Sequence, residues 1–295
     1  MTQMSRKLTL LDGGMGREIK KRISHFDSNL WSASAFDEND NLIVEIHRDF
    51  IAAGATVITT NNYALVPSIL EKADRMNEFE RLTKRSGELA HIARRQNRNI
   101  QIAGSLPPLK STYRPDLILS KDAAQPIYNQ IATWLSPFAD IFLIESMSSI
   151  AEAKAAIAVA ETFSQPIWVA FILDDQHPTQ LLSGDPVKNI TTELQAFSLD
   201  AILFNCCHAS SITPALKMLN FDGKTGGYAN AFNALPKHWH HGDPRGTDKN
   251  ILPENYTRHA TDWVHAGASI VGGCCEIGPD YIQHLATAFR NDLIL

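Results

Sequence analysis

Residues 268–275 read Ala-Ser-Ile-Val-Gly-Gly-Cys-Cys, and residues 201–208 read Ala-Ile-Leu-Phe-Asn-Cys-Cys-His. Both have the same grammar: a short apolar run stops at small or polar residues, and a pair of cysteines follows. A continuous apolar run, rather than an alternating one, marks a strand buried on both faces, as in a parallel sheet covered by helices. The two stretches supply strands Ala201–Asn205 and Ala268–Gly273. Six more fit the pattern: Leu8–Asp12, Thr56–Thr60, Ile100–Gly104, Ile141–Glu145, Ile167–Ile172 and Lys224–Ala229.

Helical periodicity fills the intervals. Leu42–Ala53 places Ile43, Ile46, Phe50 and Ile51 along one face and stops at Gly54. Asn77–Arg95, Asp122–Phe138, Ile150–Phe163, Val187–Ser198, Ser211–Leu219, Glu254–Ala266 and Asp280–Arg290 follow, and Gly267 stands where a helix C-cap glycine belongs. Strand–helix alternation of this kind predicts a parallel α/β fold. Eight repeats in 295 residues predict a single (β/α)8 TIM barrel spanning 1–295. An open doubly wound sheet is the alternative, but no GxGxxG opens the first helix. Asn230–Pro253, rich in His, Pro, Gly and Asp, is expected to be a long loop after strand seven.

Bulk properties narrow the function. The net charge of −5 gives no general attraction to nucleic acid or to an anionic membrane. No stretch approaches the roughly 18 continuous apolar residues of a membrane span, and the N-terminus lacks the apolar core of a signal peptide. The expectation is a cytoplasmic protein. There are only four cysteines, Cys206-Cys207 and Cys274-Cys275. Two adjacent pairs are poorly placed for disulfides and point to metal or reactive-thiol chemistry in a reducing compartment.

In a barrel, functional groups gather at the C-terminal ends of the strands. Asp12-Gly13-Gly14, Thr60-Asn61-Asn62-Tyr63, Gly104-Ser105-Leu106-Pro107-Pro108, Glu145, Asn205-Cys206-Cys207-His208 and Gly272-Gly273-Cys274-Cys275 all fall there. Thiolates suit zinc in a tetrahedral shell. Three of them leave a position for a substrate thiol, whose pKa the cation lowers, so that it can attack a methyl group on an onium donor.

The ordered elements DGGMG, TTNNY, GSLPP, IES, NC and GGCC resemble the homocysteine S-methyltransferases, from about residue 10 to about residue 282. The resemblance implies zinc on Cys206, Cys274 and Cys275, with homocysteine and a methyl donor as small-molecule partners. It implies that Asp12 and Glu145 hold the homocysteine amino group, and that Trp31, in Leu-Trp-Ser-Ala, lies near the substrate. Gly13 and Gly14, with Gly272 and Gly273, would let backbone approach the ligand. The sulfonium donors S-methylmethionine and S-adenosylmethionine are favoured over betaine, because the chain lacks the long C-terminal extension of the betaine-using branch. Three departures touch neighbouring loops: Glu276-Ile277-Gly278-Pro279 in place of Gly-Thr-Thr-Pro, Val169-Ala170-Phe171 in place of Val-Ser-Phe, and Tyr228-Ala229-Asn230-Ala231 in place of Tyr-Pro-Asn-Ser.

Plainer roles stand beside these. Asp12 could cap a helix or brace a turn, Glu145 could pair a buried arginine, and Trp31 could be core. Cys207 is an extra thiol outside the expected ligand set, and His208 a polar loop residue. His238, His240 and His241 form a solvated or lid segment. Two other functions remain open: a corrinoid donor on a partner protein, since Asp175-Gln176-His177 lacks the glycine of a corrinoid element, and a non-catalytic zinc barrel whose fourth ligand is Cys207 or His208.

Overall fold

The apolar runs form eight parallel strands: β1 Thr9–Leu10, β2 Val57–Thr59, β3 Gln101–Leu106, β4 Ile141–Met147, β5 Ile167–Phe171, β6 Ala201–His208, β7 Lys224–Asn230 and β8 Ile270–Val271. This is a computed structural model, and it describes residues 7–27, 30–95, 97–235 and 246–293. Each strand pairs with the next, β8 pairs back to β1, and a parallel bridge between Leu11 and Val57 joins β1 to β2. The predicted TIM barrel is the fold.

Besides two four-residue helices, Ala35–Glu38 and Pro67–Leu70, the helices are α1 Met15–Arg22, α2 Asn41–Ala53, α3 Phe79–Arg94, α4 Lys121–Leu135, α5 Ile150–Ala160, α6 Ile190–Leu194, α7 Ala209–Met218, α8 Pro253–His265 and α9 Pro279–Ala288. Helix α8 ends as expected: Gly267 adopts φ +110°, and Ala268 N–H donates to the Trp263 carbonyl. No helix among the described residues is long and apolar enough to cross a membrane.

Why the strands read as continuous apolar runs is visible in their two faces. Val57, Ala103, Ile141, Leu143, Trp168, Ala170, Ala201, Leu203 and Tyr228 share one cluster inside the barrel. Ile58, Ile102, Phe142, Ile144, Val169, Phe171, Ile202 and Phe204 belong to the larger core under the helices. Each strand alternates between two apolar environments, so period two is hidden in the sequence.

Three elements differ from the sequence reading. The loop after β1 contains α1, which the Gly-rich start had concealed. Residues between β5 and α6 form an antiparallel hairpin, Leu173–Asp174 with His177–Leu181, turned by an Asp174 carboxylate that accepts from Gln176 N–H. The helix expected over Val187–Ser198 is a 3-10 turn, Val187–Asn189, followed by the five residues of α6. In the expected loop Asn230–Pro253, β7 runs on to Asn230 and Phe232 bridges Thr247; His238, His240 and His241 lie outside the described residues.

Candidate active site

Period two inside the barrel carries through to its rim. Ile141 and Leu143 point inward, and two residues on comes Glu145; Ala103 is followed by Ser105, and Leu203 by Asn205. The apolar plug therefore ends in a polar layer. Ser105 Oγ donates to Glu145 Oε1 at 2.5 Å. Thr59 donates to Asp12 through both its backbone N–H (2.7 Å) and its hydroxyl (3.0 Å).

Two bulges then break the alternation. Strand β4 shifts register between Ile144 and Met147, with Ser146 at φ +58°; β6 shifts between Asn205 and His208, with Cys206 at φ +53°. Plain alternation would send Cys206 outward after inward Asn205. The bulge sends Cys206 to the rim cluster and Cys207 into the core under the helices. Asn205 locks the bulges together: its Oδ1 accepts from Ser146 N–H (3.1 Å) and its Nδ2 donates to Ser146 Oγ (2.9 Å). Left-handed backbone at non-glycine residues is costly, and the paired bulges make it mutually supporting. Sequence reasoning placed Ser105 and Asn205 at the rim and Ser146 in the IES element, but gave none of the three a role in building the site.

The Cys206, Cys274 and Cys275 sulfurs lie within 4.8 Å of one another, and Cys206 and Cys274 touch at 2.9 Å. The donor set fits a metal ion, since three sulfurs so grouped reach one centre at bonds of about 2.3 Å with small side-chain adjustments. Thiols of Cys274 and Cys275 hydrogen-bonded to Cys206 hold it well below the ordinary thiol range. Cys274 and Cys275 are pushed up, chiefly because each is hydrogen-bonded as a thiol to Cys206, with burial and the negative charge of Cys206 adding to it. Loading zinc at pH 7 is therefore expected to release about two protons per ion, and affinity should rise with pH. Calorimetry in buffers of different ionisation enthalpy reads this number; a release of none would mean the ion does not take all three sulfurs.

Two acids stand at the same rim. Burial pushes Asp12 up to about 7 against the lowering effect of its Thr59 hydrogen bonds. Burial also pushes Glu145 up to about 8, with the negative charges of Cys206 and Asp12 adding to it. No arginine, lysine or histidine pairs with either among the described residues. The alternative role of Glu145 as partner to a buried arginine thus has no arginine, and the N-cap of α1 is Gly14, not Asp12. Tyr228 Oη, beside Glu145, and Asn230 Nδ2 are buried at the rim without aligned partners. Two buried acids without a counter-cation would take up a cationic group more readily than bulk carboxylates would.

Gly13 and Gly14 serve a close approach to the protein's own backbone. A Cβ on Gly13 would lie 2.2 Å from the Ile277 carbonyl oxygen, and one on Gly14 would lie 2.6 Å from that of Cys274. The β1–α1 turn is therefore clamped onto the cysteine turn, with Gly14 N–H donating to the Ile277 carbonyl at 2.9 Å. Gly14→Ala is expected to lower metal occupancy and to destabilise the fold by about 1–3 kcal/mol; denaturant unfolding and metal analysis check both.

The remaining residues lie further out. Trp31, at φ +50°, opens a 3-10 turn and packs against Phe26 and the Arg17 guanidinium. His208 turns away from the cysteines, with Nδ1 at 2.8 Å from Ser210 Oγ and Nε2 at 3.2 Å from Asp248 Oδ2. It borders an open cavity of about 390 Å³ that also takes in Arg258, His259 and Asp262 but none of the cysteines.

A parallel barrel with a metal-competent cysteine cluster and paired buried acids on its C-terminal rim has the layout of a barrel enzyme's active site. A family model described as homocysteine S-methyltransferase matches residues 9–289, and the chain belongs to that family. It is 29% identical to Homocysteine S-methyltransferase of Escherichia coli, with 94% of each chain covered. It is 24% identical to Selenocysteine methyltransferase of Astragalus bisulcatus, over 94% of this chain and 91% of that one. The crystal structure of the E. coli homocysteine methyltransferase MmuM in its metallated form superposes with a TM-score of 0.81, at 26% identity and 96% coverage of both chains.

Proposed function

We propose that this chain moves a methyl group from a sulfonium donor, S-methylmethionine or S-adenosylmethionine, to the sulfur of homocysteine, giving methionine. Cys206, Cys274 and Cys275 hold zinc, Asp12 and Glu145 take the substrate ammonium, and residues 1–295 act as one homocysteine-binding barrel. The observation that carries this reading is the placement of a three-thiol cluster and two uncompensated buried acids on one rim. Homocysteine bears a thiol and an ammonium on one short chain, which matches that pair of features. A reducing cytoplasm would keep the four thiols free.

When bound, zinc lowers the pKa of a thiol placed on it and keeps that thiol as thiolate at neutral pH. The protein's residues do the rest. Asp12 and Glu145 give up their raised pKa values when an ammonium arrives, and the resulting charge pairs fix the substrate backbone. The thiolate sulfur forms a bond to the methyl carbon as the carbon–sulfonium bond breaks, and the donor leaves as a neutral thioether. No proton moves in that step, so in-line placement is the main demand on the site.

Cys207 lies in the apolar core and His208 faces Asp248, which favours a three-cysteine shell over a closed one. Cys207→Ser is accordingly expected to leave zinc stoichiometry unchanged and to cost about 1–2 kcal/mol of stability, from burying a hydroxyl. A sharp fall in zinc content would instead indicate a closed site. The test of the function joins zinc-edge X-ray absorption to a donor panel. Three sulfurs rising to four on adding homocysteine, and methionine formed from a free sulfonium, are expected. An unchanged shell, or no methionine from any donor, would sink the reading; turnover with only a methyl-corrinoid would transfer it to that donor.

A further inference from the structure

Arg17 projects from α1 toward the side of the centre formed by Cys275. Its Nε lies 2.8 Å from Glu276 Oε1, a close ion pair rather than an aligned hydrogen bond. Its guanidinium carbon packs over two aromatic rings, 5.2 Å from the Trp31 centroid and 5.0 Å from that of Phe232. Both charged side chains are mostly shielded, at 23% and 18% exposure.

Four segments supply this arrangement, and three of them are tied to the centre. Glu276 directly follows Cys275 and takes φ +66°. Phe232 follows Ala231, whose N–H donates to the Cys275 carbonyl at 3.0 Å. The turn leading into α1 is clamped on Cys274 and Ile277. Trp31 completes it at φ +50°.

A guanidinium held this way has lost most of its rotamer freedom without using its best binding edge. Among the described residues nothing accepts from Nη1 or Nη2. That edge is a planar fork suited to two parallel hydrogen bonds to a carboxylate. The acids at the rim already answer the ammonium end of an amino acid; the carboxylate end needs a cation, and Arg17 is placed to supply one.

We propose that Arg17 recognises the α-carboxylate of an amino-acid substrate, with Glu276 as the positioning residue that fixes the fork. The proposal rests on the methyl-transfer reading. It also gives Glu276, which departs from the family pattern, a role. The carboxylate belongs either to homocysteine or to an amino-acid sulfonium, and the test separates them.

On zinc-loaded protein, calorimetry compares homocysteine with 3-mercaptopropylamine, which lacks the carboxylate. In turnover, KM compares S-methylmethionine with (3-aminopropyl)dimethylsulfonium. Wild type is expected to prefer the carboxylate-bearing member of at least one pair by on the order of thirty-fold. Arg17→Gln should abolish that preference, Arg17→Lys should keep part of it, and Glu276→Gln should weaken it less. The affected pair identifies the source. A full preference retained in both pairs by folded Arg17→Gln and Arg17→Lys proteins overturns the proposal, as does equal weakening of both members of a pair. If neither thiol binds the zinc-loaded wild type, the methyl-transfer reading fails too; if the thiols bind and only the carboxylate effect is missing, the Arg17 assignment alone fails.

Discussion

Cys274→Ser is expected to weaken zinc binding by more than about 100-fold and to remove turnover with it. Changes to groups that merely orient a ligand already cost about 10- to 100-fold, and this change removes one of three sulfurs. A serine hydroxyl stays protonated at neutral pH and is a poor substitute for a thiolate. The fold should survive. The backbone of Cys274 is held by its own N–H donating to the Ala229 carbonyl at 2.8 Å, and that bond does not involve the side chain. Metal content after gel filtration, methionine formation and thermal unfolding separate these effects. Near-stoichiometric zinc in a folded Cys274→Ser protein would remove Cys274 from the centre.

Glu145→Gln is expected to act in opposite directions on stability and on binding. In the metal- and ligand-free protein, Glu145 titrates near 8 and Asp12 near 7, both well above their unfolded values. The folded chain therefore holds more protons than the unfolded chain between about pH 4 and pH 8. The stability associated with these protonated acids is fully present below their unfolded pKa values. It is lost as pH rises through the folded ones, the reverse of an ordinary surface carboxylate. Glutamine cannot ionise, so Glu145→Gln should flatten this loss and raise stability at pH 8 by about 2–4 kcal/mol. It also removes half of the charge facing an ammonium, and homocysteine affinity should fall by on the order of 100-fold. Unfolding curves at pH 5, 7 and 8, with homocysteine titrations, test both parts. A variant that loses stability at pH 8, or binds homocysteine normally, would show that Glu145 is not an uncompensated acid awaiting a cation. Asp12→Asn is less clean, because Asp12 also accepts two hydrogen bonds from Thr59 and braces β1 against β2.

Much of the barrel was legible because its apolar runs are long relative to their turns. Runs such as Ile141–Ile144 and Ile202–Phe204 are buried on both faces, and burial on both faces writes itself into sequence as unbroken hydrophobicity. The hairpin at 173–181 was not legible: its strands are short, and part of it is exposed, with a local Asp174 turn defining it. The shortness of α6 was hidden for a similar reason, since residues 187–198 carry helical spacing that tertiary packing uses for only one short helix.

The sequence by itself determined the strand–helix order, the gathering of all four cysteines and two acids at strand ends, and the chemistry that thiols and carboxylates can perform. The resemblance already singled out Cys206 over Cys207, but only tertiary structure supplies the physical reason. Alternation along β6 points Cys206 the wrong way, and a bulge held by Asn205 and Ser146, residues 59 positions apart, reverses it. Tertiary structure alone joined Arg17 to Glu276, Trp31 and Phe232. Strand order follows from local hydrophobicity, which each segment carries in its own residues. Side-chain direction at a bulge, and contacts between segments remote in the chain, depend on closure of the barrel, which no single segment encodes.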